Sequence, residues 1–232
     1  MKAKEIFLLV SSKLQDLEGG VATRWPWEIT EGKLSLTDAF NAAVRNIALQ
    51  RPDATAITES IKLQDGVKQV LPDPANGSGA SKKALRLIEV IQNMGSDGNT
   101  PDEPIMLTSK AAMQLGGWTT TSDDIDNYAY DAKENPDIYW VQPGVAVGAL
   151  VYISMTYSAE PDHIDGSDDD LPISPTFSGP IVHWMIYELL SGDSSTSSMA
   201  TAQFHFSAFY QALGVKLKAD LYYPKQIQVV KE

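Results

Sequence analysis

The feature that most constrains this chain is a change in the period of its apolar residues. Near both ends they recur every three or four positions, the spacing of one helix face. Through the middle they recur every second position, the spacing of one strand face. Ile6, Val10, Leu14 and Leu17 predict a helix over 2–17, stopped by Gly19-Gly20. Leu36, Phe40, Ala43, Val44 and Ile47 predict a second helix. Ser35 or Thr37 can cap that helix, and Asp38 suits its first turn. Arg51-Pro52 ends it, because the residue before a proline disfavours helical backbone. Arg24-Trp25-Pro26-Trp27, lying between the two, cannot be regular helix around its proline.

The two-residue period begins at Ile57 and continues through Glu59, Ile61 and Leu63. Asp65-Gly66 then predicts a hairpin turn, with residues 67–71 as the returning strand. Residues 72–81 are rich in Pro, Gly, Asn and Ser and read as a loop. Residues 85–91 fit helix or strand, and their branched side chains favour strand. A short helix is expected over 109–115, and strands over 128–130, 138–141 and 149–157. In the last of these, Val151, Ile153, Met155 and Tyr157 share one face.

Helical spacing returns at Phe177, Ile181, Trp184, Met185 and Leu189. It resumes at Met199, Ala202, Phe206, Phe209, Tyr210 and Leu213, after a polar turn over 192–198. So short a connection predicts antiparallel packing of the two helices. The expected fold is α+β: a helical bundle from the N- and C-terminal helix pairs (1–56 and 172–220), a β-rich insertion (57–171) and an extended C-terminal tail (221–232).

Composition narrows the function. The formal net charge is -12, with 18 basic residues against 30 acidic. Tight non-specific binding to nucleic acid needs clustered Lys and Arg to release counterions from phosphates, so this balance argues against it. Cysteine is absent, which removes disulfides and thiolate metal sites. The apolar run Ile6–Val10 is shorter than the roughly 7–15 residues of a secretory core or the ~20 of a membrane span. The chain is therefore read as unprocessed and soluble, with no membrane partner.

No catalytic constellation stands out. His163, His183 and His205 lack the four-residue helical spacing of a zinc pair and read as packed or surface histidines. The acidic stretch 162–170 lacks the residue order of an EF-hand and reads as a solvated loop, with weak calcium binding left open. Phosphate-binding and nucleotide fingerprints are missing, as is the nucleophile-elbow motif. The expectation is a non-enzyme without cofactor or metal. Trp25, Trp27, Tyr139 and Trp140 are read as packing aromatics, with sugar binding as the competing use.

In order, several segments resemble one family. They are Arg24-Trp25-Pro26-Trp27, Ala48-Leu49-Gln50-Arg51-Pro52-Asp53-Ala54, Gln69-Val70-Leu71-Pro72, residues 85–95, Asn135-Pro136-Asp137 with Tyr139-Trp140-Val141-Gln142-Pro143, and Phe209-Tyr210-Gln211-Ala212-Leu213-Gly214. Nearly the whole chain is similar to the head-to-tail adaptor (connector) proteins of short-tailed bacteriophages. The resemblance implies a non-enzymatic virion protein of the neck, assembled in the host cytoplasm as a ring, usually of twelve copies, under the portal protein. A downstream tail or nozzle protein would be the second partner, and double-stranded DNA would pass through without specific binding.

It also implies a C-terminal extension that docks on the portal. The docking residues would be Tyr222, Tyr223, Pro224, Ile227, Val229 and Val230, whose alternation suits an added strand or a groove. Trp25, Trp27, Tyr139 and Trp140 would pack between subunits. A neck stopper or tail-tube component, and a host-polysaccharide-binding or degrading protein, are the alternatives.

Overall fold

The structure, a computed structural model, describes residues 1–16, 24–116, 120–192 and 195–214. It is mixed α+β, with five α-helices and two sheets among those residues. The chain divides into two compact units, one of Met1–Gln50 with His163–Glu232 and the other of Arg51–Asp162. The tail residues Tyr222, Tyr223, Pro224, Ile227, Val229 and Val230 lie outside the described residues.

The first unit holds α1 (Ala3–Leu14), α2 (Leu36–Gln50), α4 (Ser178–Ser191) and α5 (Thr196–Ala212). Helix α1 ends earlier than its apolar spacing predicts. Gln15 turns into the left-handed region at φ 55°, and the Asp16 N–H closes the helix on the Ser11 carbonyl at 2.9 Å. Leu17, Gly19 and Gly20 lie outside the described residues. Helix α2 starts as the cap residues imply. Ser35 Oγ accepts from the Asp38 N–H at 3.0 Å, and the Asp38 carboxylate accepts from the Ser35 N–H at 3.2 Å.

Helix α4 is apolar on most of its circumference and packs against α1, α2 and α5. Ile181, Met185, Ile186 and Leu189 are buried on it, together with Ile6, Phe7, Phe40 and Phe209 from its neighbours. The ring contacts Trp184–Phe209 and Tyr187–Phe206 run in antiparallel order along α4 and α5. Of the expected stripe on α5, Ala202, Phe209 and Leu213 are buried, Phe206 and Tyr210 are half-buried, and Met199 is exposed. It lies on the first turns of α5, beyond the reach of the Trp184–Phe209 contacts.

The second unit contains β1 (Ala56–Lys62), β2 (Gly66–Val70), β3 (Ala84–Asn93), β4 (Met106–Leu107), α3 (Lys110–Gly116), β5 (Thr121–Ser122), β6 (Asn127–Tyr130), β7 (Ile138–Val145) and β8 (Tyr152–Ala159). One sheet has the order β1-β8-β3. The other runs β2-β7-β6-β4, with β5 also paired to β7. The inward faces of both sheets close one core that includes Ile61, Leu87, Val90, Tyr139, Val141, Ile153, Met155 and Tyr157. The ambiguous segment 85–91 is strand. On β8 the alternation holds, with Ile153, Met155 and Tyr157 buried and Tyr152, Ser154 and Thr156 half-buried.

The hairpin expected at Asp65-Gly66 is absent, because β1 and β2 belong to different sheets. Strand β1 pairs with β8 from Ala56↔Ser158 to Lys62↔Tyr152, and the Leu63 N–H continues onto the Val151 carbonyl at 2.9 Å. Strand β2 then pairs with β7 from Gly66↔Val145 to Val70↔Ile138. The β1–β2 excursion and the β7–β8 excursion therefore run together as one ribbon, bent at residues 63–66. The backbone groups of Gln64 that a hairpin would use are taken by the buried Gln69 side chain. Its Oε1 accepts from the Gln64 N–H at 2.8 Å, and its Nε2 donates to the Gln64 carbonyl at 2.7 Å. Gly66 sits at the bend with φ +96°, a conformation that a residue with a Cβ rarely adopts.

Candidate interaction surface

Three features outside the cores bear on function: the tryptophan segment, the acidic loop and the outer side of α4 and α5. All three lie in the helical unit, the acidic loop from His163 onward.

The segment Arg24–Trp27 closes the start of α2. The first helical N–H groups have no partner within their own helix. Here the Leu36 N–H donates to the Pro26 carbonyl at 2.8 Å, and the Thr37 N–H and hydroxyl both donate to the Trp27 carbonyl, at 3.1 and 2.7 Å. The Asp16 carboxylate accepts from the N–H groups of Arg24 and Trp25, each at 3.1 Å. The Arg24 guanidinium lies 4.4 Å over the Trp25 ring. Trp27 meets the buried Phe7 edge-on, 5.9 Å between centroids. Both tryptophans are half-buried, so part of each ring remains on the surface.

Tyr139 and Trp140 are placed differently. Tyr139 is 1% exposed in the core between the two sheets, and burial pushes its hydroxyl pKa up. Trp140 faces the other side of β7, packs with Met113 and Ala129, and carries the Lys110 ammonium 4.1 Å above its ring. Both rings are spent within their own unit.

The acidic loop is exposed, but its groups are engaged. The Asp169 carboxylate accepts from the N–H groups of Asp165 and Gly166, at 2.8 and 3.1 Å, and these bonds hold its pKa below the usual carboxylate range. Loop carbonyls serve the open end of α1: the Ala3 N–H donates to Asp169 and the Lys4 N–H to Ser167, at 2.9 and 2.8 Å. Lys2–Asp170 and Lys4–Asp168 pair at 3.2 and 3.1 Å. Asn41 on α2 clamps Ile164, donating to its carbonyl and accepting from its N–H, both at 3.0 Å. The loop is thus a strap across the starts of two helices. Among the described residues, no three His, Asp or Glu groups converge to hold a metal ion.

The histidines also find each other. Nδ1 of His183 on α4 lies 2.9 Å from Nδ1 of His205 on α5, so one ring donates and the other accepts. Burial lowers both pKa values. The neighbouring Lys13 charge adds to the effect on His183, and the His183 and Lys13 charges add to it on His205. The 22-residue separation of this pair across two helices leaves no local spacing signal in the sequence.

On the outer side of α4 and α5, Tyr187, Ser191, Met199, Ala202, Gln203 and Phe206 line an open, mainly apolar groove of about 290 Å³. Met199 is 59% exposed at its rim. Phe204 is 65% exposed on α5. The 17 residues of α5 include no Asp, Glu, Lys or Arg. The groove has no local signal in the sequence, although the missing charges of α5 are visible there. Among the described residues, no helix is long and apolar enough to cross a membrane.

No curated protein matches the chain. The sequence model described as SU10 adaptor protein matches residues 1–228, almost the full length. The chain therefore belongs to the SU10 adaptor protein family, a family of structural phage proteins.

Proposed function

We propose that this protein is a ring-forming head-to-tail adaptor of a short-tailed phage. It docks under the portal protein, passes the connection on to a downstream tail or nozzle protein, and surrounds the path of the DNA. The family match over residues 1–228 carries this reading. The net charge of -12 supports it, since an acidic surface repels the phosphate backbone and lets DNA slide past.

Within this reading the helical segments 1–56 and 172–220 form the bundle of the ring wall, and 57–171 form the β-rich insertion. Tyr222, Tyr223, Pro224, Ile227, Val229 and Val230 form the portal-docking tail. Trp25 and Trp27, half-buried on their own unit, have ring surface left for a neighbouring subunit, whereas Tyr139 and Trp140 act through the fold of the insertion. Ring contacts of this kind bury aromatic residues preferentially.

The test is truncation of residues 221–232. The shortened protein keeps its melting temperature and loses co-sedimentation with the portal ring of the same phage. Unchanged portal binding by a folded truncated protein would remove the tail from the docking role.

A further inference from the structure

Helix α5 is held mainly by one neighbour. Its chief packing partner is α4, and within the helix only Ala202 and Phe209 are buried. It carries no Asp, Glu, Lys or Arg, so none of its side chains except His205 can enter an ion pair. Trp184, buried against Phe209 in this interface, has an indole N–H without an acceptor among the described residues. A buried donor left unpaired weakens the packing around it.

The His183–His205 pair ties the two helices together. Its ring centroids are 5.0 Å apart and its Nδ1 atoms 2.9 Å apart, so the rings meet nearly end to end and both Nδ1 atoms point at one place. A single proton fits there, donated by one ring and accepted by the other. A first added proton can go to Nε2 of the donor ring, and the bond survives. A second must go to the accepting Nδ1, where it meets the proton already present. The bond is then lost, and two imidazolium rings face each other.

The surroundings add to that repulsion. Lys13 on α1 acts on both rings. Of the other charged residues on α1, Lys4 pairs with Asp168, and Glu5 accepts from the Lys2 N–H at the far end of the helix. On α4, Glu188 lies about 140° round the helix from His183. Asp38 and Arg45 on α2 act on neither ring. Among the described residues, no carboxylate balances a doubly charged pair.

We propose that α5 is an acid-released arm: when His183 and His205 both carry the extra proton, α5 opens from α4 while the other helices and the β-rich unit stay folded. The two rings charge as a coupled pair. Burial and the Lys13 charge hold this to the acid side of the ordinary ~6.5 of histidine. Opening uncovers Trp184, Phe206 and Phe209, which pack together at neutral pH. This inference does not depend on the ring reading.

Amide hydrogen exchange of the full-length protein at pH 7.5 and 5.0 tests it, with labelling times scaled for the pH dependence of chemical exchange. Peptides from α5 are expected to lose protection by about tenfold or more at pH 5.0, the effect of one pK unit or more, while those from α2 and β8 keep theirs. The double variant His183→Gln/His205→Gln keeps a neutral polar pair at both pH values and should hold α5 equally protected at each. If that variant loses α2 protection at pH 7.5, the single variant His205→Gln takes its place. Equal protection of α5 in the unmodified protein at both pH values would overturn the proposal. So would an acid loss of α5 protection that persists in the glutamine variant, or one shared equally by α2.

Discussion

Replacing Asn93 with Ala should destabilise the β-rich unit by about 3 kcal/mol, well above the ~1 kcal/mol typical of point substitutions. Asn93 closes β3 and is 2% exposed. Its Oδ1 accepts from the Ile125 N–H at 3.0 Å, and its Nδ2 donates to the Ile125 carbonyl at 2.9 Å and to the Glu103 carbonyl at 3.2 Å. The Glu103 carbonyl keeps a partner after the substitution, because the Asn93 N–H also donates to it, at 3.0 Å. The Ile125 N–H and carbonyl lose the partner that Asn93 supplies. Each buried polar group left unpaired costs about 1–3 kcal/mol, so two give about 3 kcal/mol at the lower middle of the range.

In a chain of this size that corresponds to a fall in melting temperature of about 6–12 °C. Thermal melts of the purified full-length protein measure it, and amide hydrogen exchange of the peptide containing Ile125 localises it. Asn93→Asp sharpens the test. Its carboxylate would face two carbonyls in a buried site, so its folded pKa lies above the ordinary ~3.9. The aspartate variant is then least unstable below that ordinary value and loses stability as pH rises through its folded pKa. A fall of under about 2 °C for Asn93→Ala, with Ile125 exchange unchanged, would show that the Asn93 side chain does not hold the Ile125 backbone.

Other expectations follow from the same geometry. Gly66→Val should cost about 1–3 kcal/mol, because a branched residue is forced to φ +96° at the bend between the sheets; urea unfolding checks it. The His183–His205 pair binds protons less readily folded than unfolded, so stability should fall as pH drops below about 6.5. Melts between pH 7.5 and 5.0 should show this fall, and His205→Gln should flatten it. Trp27→Ala removes the edge contact on Phe7 from a half-buried ring and should cost about 2 kcal/mol by chemical unfolding, while the carbonyl that caps α2 remains.

The sequence reveals those parts of the fold whose determinants are local. The helical stripe of α2 appears in it because one face of that helix is buried and its residues must recur every three or four positions, and α4 appears because most of its circumference is buried. Strand β8 is equally plain, since Ile153, Met155 and Tyr157 enter a shared core between half-buried neighbours. The Asp65-Gly66 bend misleads because turn propensity sets local backbone shape and not the pairing partner. The strand that β1 joins lies about a hundred residues away, and Gln69 cancels the local pairing. The acidic loop hides its role for the same reason: Lys2, Lys4 and Asn41 meet it only in three dimensions. The exposed Met199 falls on the apolar stripe of α5 in a one-dimensional pattern, and only the packing of α4 against α5 separates it from Phe209, which is buried.

A ring adaptor must bind its portal in many copies at once. Sedimentation of the purified chain, alone and mixed in excess with the portal ring of the same phage, measures this. The expected result is a saturating complex that carries many copies per portal ring, twelve if the ring is of the usual kind. Failure of the two proteins to co-sediment at any ratio would contradict it.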